Sequence, residues 1–211
     1  MANTAGTPRP GRGRRPAAQV RELVLQAAAD LLFDGGMKAV TFERVADAAG
    51  ASKTTLYKWW PSAGALAAEA YFRRVEPALS FPDTGDIEAD LKSQLHAFVE
   101  LITERGGGGV IAELIGASQG DAALSAALSQ TYSLPRRSLA VQAMERARSR
   151  GQLRPGVDLS MIVDQLWGAC YHRLLLPGEP ITHDFADALV ENALYGAAPM
   201  PRQAATSSSR E

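Results

Sequence analysis

Residues 41–60, TFERVADAAGASKTTLYKWW, constrain the fold of this chain more than any other stretch. They hold two short apolar patterns on either side of one glycine. Thr41 and Ser52 each stand where a side-chain oxygen can cap a helix. The first of these helices is expected to end near Ala49-Gly50, and the second to run from Ser52 through Lys58 or Trp60. Val45, Ala46 and Ala49 give the first an apolar inner face, and Ala46 is small where a second helix must approach closely. Gly50 falls in the turn, where a residue with φ > 0 is often needed. Leu56 and Trp60 are four apart and share the core side of the second helix. Lys53, Thr54, Thr55, Tyr57 and Lys58 then point elsewhere. Small, hydroxylated or basic, they suit a helix lying in a DNA major groove. The pattern is a helix-turn-helix, and two of the chain's four lysines fall in its second helix.

Charge supports the same end of the chain. The net charge is −1 over 211 residues. Residues 1–60 hold nine Lys/Arg against five Asp/Glu, and residues 61–211 hold thirteen against eighteen. A basic head on an acidic body implies that only the head meets a polyanion. Hydrophobic residues make up 46% and charged residues 21%, enough apolar material for a packed core. The single cysteine, Cys170, excludes an intrachain disulfide and a Cys-rich zinc site. No apolar run is long enough for a transmembrane helix, and the basic N-terminus lacks the apolar stretch of a secretory signal. The expectation is a cytoplasmic protein without a membrane partner.

The chain reads as all-α. Residues 1–16, with Arg9, Arg12, Arg14 and Arg15 among Gly and Pro, are expected to form a disordered basic arm. Val20, Leu23, Val24, Ala27 and Leu31 form an apolar stripe on a first helix that Gly35-Gly36 stops. A fourth helix is expected over about 62–78. Ile87, Leu91, Leu95, Phe98 and Ile102 form a stripe on a fifth. Gly106 to Gly109 reads as a break and a flexible joint, since each Gly costs about 1 kcal/mol in a helix. A short helix follows over 110–117. A long one spans 121–150, kinked or broken at Pro135. Two more cover 158–176 and 183–195. The expected domains are a head over 17–61, a helical body over 62–198 and a disordered tail over 199–211.

The stretches AADLLFDGGMKAVTFERVADAAGASKTTLYKWWPS and ALAAEAY resemble the DNA-binding domain of the tetracycline-repressor (TetR) family of bacterial transcription regulators. The stretch from Gly151 to Gly196 resembles the C-terminal domain of one branch of that family. The resemblance implies a three-helix DNA-binding head and a helical body that binds a small-molecule effector and dimerises. The partners implied are a pseudo-palindromic double-stranded operator, an unidentified effector and a second copy of the chain. Repression relieved by the effector is the family default. By position, Thr41, Arg44 and Tyr57 would bond phosphates. Lys53, Thr54 and Thr55 would face base edges, Lys58 bases or backbone, and Trp59 the sugar–phosphate edge. Trp60 belongs to the core. Arg12, Arg14 and Arg15 of the arm would reach DNA as well, the alternative being a solvated, inert tail. The chain departs from the family at Ala63, where a lysine that meets a phosphate is usual. The arm and Lys58 are the groups that can replace that contact.

The effector cavity is expected between helices 86–105, 110–117, 121–150 and 158–176. Its candidate lining is His96, Phe98, Ile102, Leu114, Tyr132, Trp167, Cys170 and Tyr171, a mix that favours a hydrophobic or aromatic ligand. The last two helices are expected to meet the partner subunit through Ile162, Leu166, Ala169 and Arg173 and through Phe185, Leu189 and Ala193. Helix 158–176 is apolar over so wide an arc that it must be covered on two sides. Two other classes compete with a regulator. A helical adaptor would use the helix-turn-helix to bind protein. A small helical enzyme would need a catalytic constellation. His96, His172 and His183 lack metal-ligand spacing. Cys170 and His172, at about 100° per residue, point roughly 200° apart on one helix. The glycine run lacks the Lys-Ser/Thr of a phosphate loop. Neither catalysis nor a cofactor is expected.

Overall fold

The computed structural model describes residues 16–176 and 178–196. The arm, save Pro16, and the tail from residue 199 lie outside the described residues. Ten α-helices and no strand occur among them: α1 (Ala17–Gly35), α2 (Phe42–Ala49), α3 (Lys53–Trp59), α4 (Ala63–Val75), α5 (Ile87–Thr103), α6 (Gly107–Ser118), α7 (Ala122–Leu128), α8 (Leu134–Ser149), α9 (Leu159–Leu175) and α10 (His183–Tyr195). None is long and apolar enough to cross a membrane.

These helices form two compact units. The first holds residues 16–75 and 113–132, and the second 76–112 and 133–196. α4, which follows the head read from sequence over 17–61, packs along α1 and against α7 within the first unit. α4 can be covered on two sides because Ala65, Ala67, Ala68 and Ala70 keep it thin, and all four are buried. Gly64 brings its first turn against Leu124 of α7.

In the first unit the stripe on α1 is rotated from the one read in the sequence. Val24, Leu25, Ala28, Ala29 and Leu32 are buried, while Leu23 is 38% exposed. α1 meets both α2 and α4, so its buried arc centres between those partners. Trp60 is buried, as expected, and its indole N–H donates to Glu69 at 2.8 Å. Arg21 grips the same carboxylate with both guanidinium nitrogens, at 2.5 and 2.9 Å, and lies over the Trp60 ring. Burial pushes the Glu69 carboxyl up, but hydrogen bonds from Arg21 and Trp60 outweigh it and hold it below the usual range. One carboxylate thus ties α1 and the end of α3 to α4.

The glycine run holds the break at its first member only: α5 ends at Thr103 and Gly106, at φ 72°, turns the chain into α6. Gly107, Gly108 and Gly109 form the first turn of α6. A Cβ on Gly108 would overlap the Ile102 carbonyl oxygen, and one on Gly107 would stand 3.0 Å from the Leu101 carbonyl oxygen. The glycines are there for close approach to the end of α5, and that gain outweighs their poor helix propensity. The break near Pro135 falls just before it, as a wide π-helical turn over Ser129–Ser133. Proline lacks an N–H, so the regular ladder cannot continue into the start of α8.

In the second unit α5 packs against α8, α9 and α10. Its stripe of Ile87, Leu91, Leu95, Phe98 and Ile102 is buried as read. Asp86, Asp158 and Thr182 cap α5, α9 and α10 through their side-chain oxygens.

Candidate nucleic-acid interface

The local geometry of α2 and α3 follows from two caps and one glycine. Thr41 Oγ1 accepts the Arg44 N–H at 3.2 Å, and Ser52 Oγ accepts the Thr55 N–H at 3.2 Å. Gly50 sits at φ 61°, the left-handed conformation the turn requires. Leu56 is fully buried on the inner side of α3. The outer side is then presented at a set rotation. Lys53, Thr54, Tyr57 and Lys58 are exposed there, and Arg44 is exposed at the start of α2.

Each outward group differs in how it is held. The Tyr57 ring meets the buried Phe42 ring edge-on at 4.5 Å, yet the residue is 62% exposed. Its ring is anchored while most of its surface stays open to solvent. Thr55 is half-buried, with its hydroxyl 2.8 Å from Ser52 Oγ, so it serves the cap before any outside partner. Lys53 Nζ donates to the Glu43 carboxylate at 3.0 Å. That hydrogen bond raises the lysine and lowers the glutamate from their ordinary pKa values. Arg44 and Lys58 make no ion pair among the described residues. Trp59 is half-buried and lines an open cleft of about 650 Å³ with Ala17, Val20, Gly50, Ala51, Ser52 and Thr55. Ala17, the first residue of α1, thus borders the cleft beside α3.

Sequence reasoning missed Glu43. Its signal was available: a residue in the first turn of α2 lies beside the first residue of α3 once the two helices fold over the glycine turn. The pair leaves a carboxylate on a face otherwise suited to polyanions, a feature that charge counting averages away.

The candidate effector residues divide between the units. Leu114 and Tyr132 belong to the first, where the Tyr132 ring meets Tyr71 at 5.6 Å and Phe72 at 6.2 Å. Phe98, Ile102, Trp167, Cys170 and Tyr171 belong to the second. There Phe98 meets Tyr171 at 5.5 Å, and Trp167 meets Phe81 at 5.9 Å. Burial pushes the Cys170 thiol up to about 12. His96 stands apart from this aromatic group. Its Nε2 lies 2.7 Å from Asp187 of α10, and its ring stacks on His183 at 4.3 Å.

Of the residues read as facing a partner subunit, Ile162 and Leu166 are buried inside the second unit. Arg173 lies over the Phe185 ring at 3.7 Å, and Ala169, Leu189 and Ala193 are half-buried. The outer side of α9 instead carries Met161, 53% exposed, then Gly168 and Leu175, 41% exposed, seven residues apart.

Residues 24–70 match the family described as bacterial regulatory proteins, tetR family, and residues 81–193 match the tetracyclin repressor-like C-terminal domain. The chain is 34% identical over 185 residues to the HTH-type transcriptional regulator YdeS of Bacillus subtilis (strain 168), covering 88% of this chain and 93% of that protein. It is 26% identical over 192 residues to the HTH-type transcriptional regulator AqdR of Rhodococcus erythropolis, covering 90% of each. The crystal structure of the TetR family transcription regulator SCO0332 superimposes with a TM-score of 0.81 at 55% identity, covering 86% of this chain and all of that one.

Proposed function

The chain belongs to the tetR family of bacterial regulatory proteins and is a DNA-binding transcription regulator, and from that premise we propose that it is a homodimeric repressor. It holds a pseudo-palindromic operator and releases it when a small molecule binds its second unit. It acts in the bacterial cytoplasm, at the nucleoid. The observation that carries this reading is α3, whose inner face is locked by Leu56 and whose outer face presents Lys53, Thr54, Tyr57 and Lys58.

In this reading Lys53 and Thr54 face base edges, and Thr55 stiffens the helix start while lining the groove. Thr41, Arg44 and Tyr57 bond phosphates, which positions the head without specifying sequence. Trp59 packs on the sugar–phosphate edge from the cleft. Lys58 and arm residues Arg12, Arg14 and Arg15 supply the charge that Ala63 does not. Two copies associate along the side of α9 that carries Met161, Gly168 and Leu175, whose heptad spacing sets them on one outward side with the glycine midway. In this reading Ala169 and Arg173 of α9 and Phe185, Leu189 and Ala193 of α10 also face the partner. Phe98, Trp167, Cys170 and Tyr171 supply the apolar wall for the effector.

Selection of bound duplexes from random DNA tests the reading. An inverted repeat with half-sites about one helical turn apart, or a multiple of it, is the expected result. Duplexes recovered with no common sequence would remove it.

A further inference from the structure

Gln94, near the middle of α5, is 1% exposed, and neither its Oε1 nor its Nε2 has a hydrogen-bond partner among the described residues. Only one other polar or charged side chain there is buried, Asp90. Asp90 is fully engaged, accepting the Thr84 N–H at 3.1 Å and the Thr84 hydroxyl at 2.7 Å. A primary amide offers two donors and two lone pairs. Buried polar groups are almost always hydrogen-bonded, and each exception calls for an explanation. Leucine fills nearly the same volume with nothing left unmade. A bare amide at this position therefore works against folding, which is the signature of a residue kept for another use.

Its surroundings indicate that use. Phe98 is one turn further along the same face of α5. The Phe98 ring meets Tyr171 of α9, and Trp167 stands one turn before Tyr171. Trp167 and Tyr171 are half-buried, so this aromatic wall is not sealed from outside. The charged groups of α5 are already committed. Lys92 is held by Glu88 and Glu191, Asp90 by Thr84, and His96 by Asp187. On α5 a charged ligand would find no opposite charge free to receive it, and Arg173 of α9 is held over the Phe185 ring by the Pro180 carbonyl; an uncompensated charge in an apolar interior is strongly disfavoured.

We propose that Gln94 is the polar anchor of the effector site in the second unit. The effector is then an uncharged, aromatic molecule that presents a hydrogen-bond acceptor and a donor side by side, as a lactam or amide does. The lactam carbonyl accepts from Gln94 Nε2, its N–H donates to Gln94 Oε1, and the ring packs on Phe98 and Tyr171. This deepens the reading of the second unit as effector-binding and rests on it.

The test uses the full chain and two probes of one bicyclic shape, isoindolin-1-one and indane. Binding of each is measured by titration calorimetry to wild type, Gln94→Leu and Gln94→Met, with melting temperatures recorded alongside. Wild type should favour the lactam about tenfold, because a site built to hydrogen-bond rejects the analogue that cannot. Both variants should lose that preference and melt at the same temperature or higher. Binding of neither probe to wild type overturns the proposal. So does an equal preference in all three proteins, or a lowered melting temperature in both variants, which would make the amide structural. Operator affinity in the presence of the lactam is read separately. If binding depends on Gln94 but operator affinity stays unchanged, the anchor stands and the release reading fails.

Discussion

Glu113 of α6 accepts the Met37 N–H at 3.0 Å and occupies the space a side chain on Gly36 would need, with Oε2 2.6 Å from where its Cβ would lie. Gly36 closes α1 at φ 68° and ψ −171°, a region open essentially to glycine alone. The carboxylate thus caps the short 3-10 turn Met37–Ala39 that leads into α2. Both residues lie in the first unit, and α6 begins in the second. Gly36→Ala should lower stability by about 1–3 kcal/mol through backbone strain. Glu113→Ala should cost less, roughly 0.5–1.5 kcal/mol for the hydrogen bond. Urea denaturation of each variant checks the order, and an equal or reversed ranking would contradict it.

The Lys53–Glu43 pair predicts opposite effects from its two members. Lys53→Ala should relax the preference at one base pair of each half-site, by roughly tenfold or more. Glu43→Ala removes a negative charge from the DNA face and releases the lysine. It should tighten binding to random duplex and narrow the gap between operator and random DNA. Competition titrations at fixed salt measure both. A weaker grip on random duplex after Glu43→Ala would show that the carboxylate orients the lysine rather than restrains it.

Tyr57→Phe keeps the ring contact with Phe42 and removes the hydroxyl. Affinity should fall alike for operator and random duplex, with the selected sequence unchanged. A changed consensus would place the hydroxyl on a base.

Burial holds the Cys170 thiol at about 12, so little thiolate exists near neutral pH. It is also the chain's single cysteine, which makes its chemistry easy to read. An aromatic disulfide reagent should label it only as fast as the protein opens, and quickly in denaturant. Rapid labelling of native protein would show that the interior of α9 is accessible.

Much of this was legible in the sequence because local chemistry decided it. Thr41, Ser52 and Gly50 determine the caps and turn of α2 and α3, and their residue types announce it. The α5 stripe was legible for the same reason. What escaped depended on partners distant in the chain. The rotation of α1 is set by α2 and α4 together, and no periodicity within α1 reveals it. The glycines of α6 looked like a break because their use, contact with the Leu101 and Ile102 carbonyls, is tertiary. α9 is apolar on two stripes, and only the fold shows that Ile162 and Leu166 face inward while Met161, Gly168 and Leu175 face out. Gln94 carried no signal, since a glutamine within a helix is ordinarily exposed.

The central claim is that two copies of the α3 surface act together on DNA. Sedimentation equilibrium of the full chain with a duplex carrying one selected inverted repeat measures this directly. Two-fold symmetry predicts an even number of chains per duplex, with affinity collapsing when either half-site is scrambled. A single chain bound per duplex, equally tightly with one half-site as with two, would contradict the account.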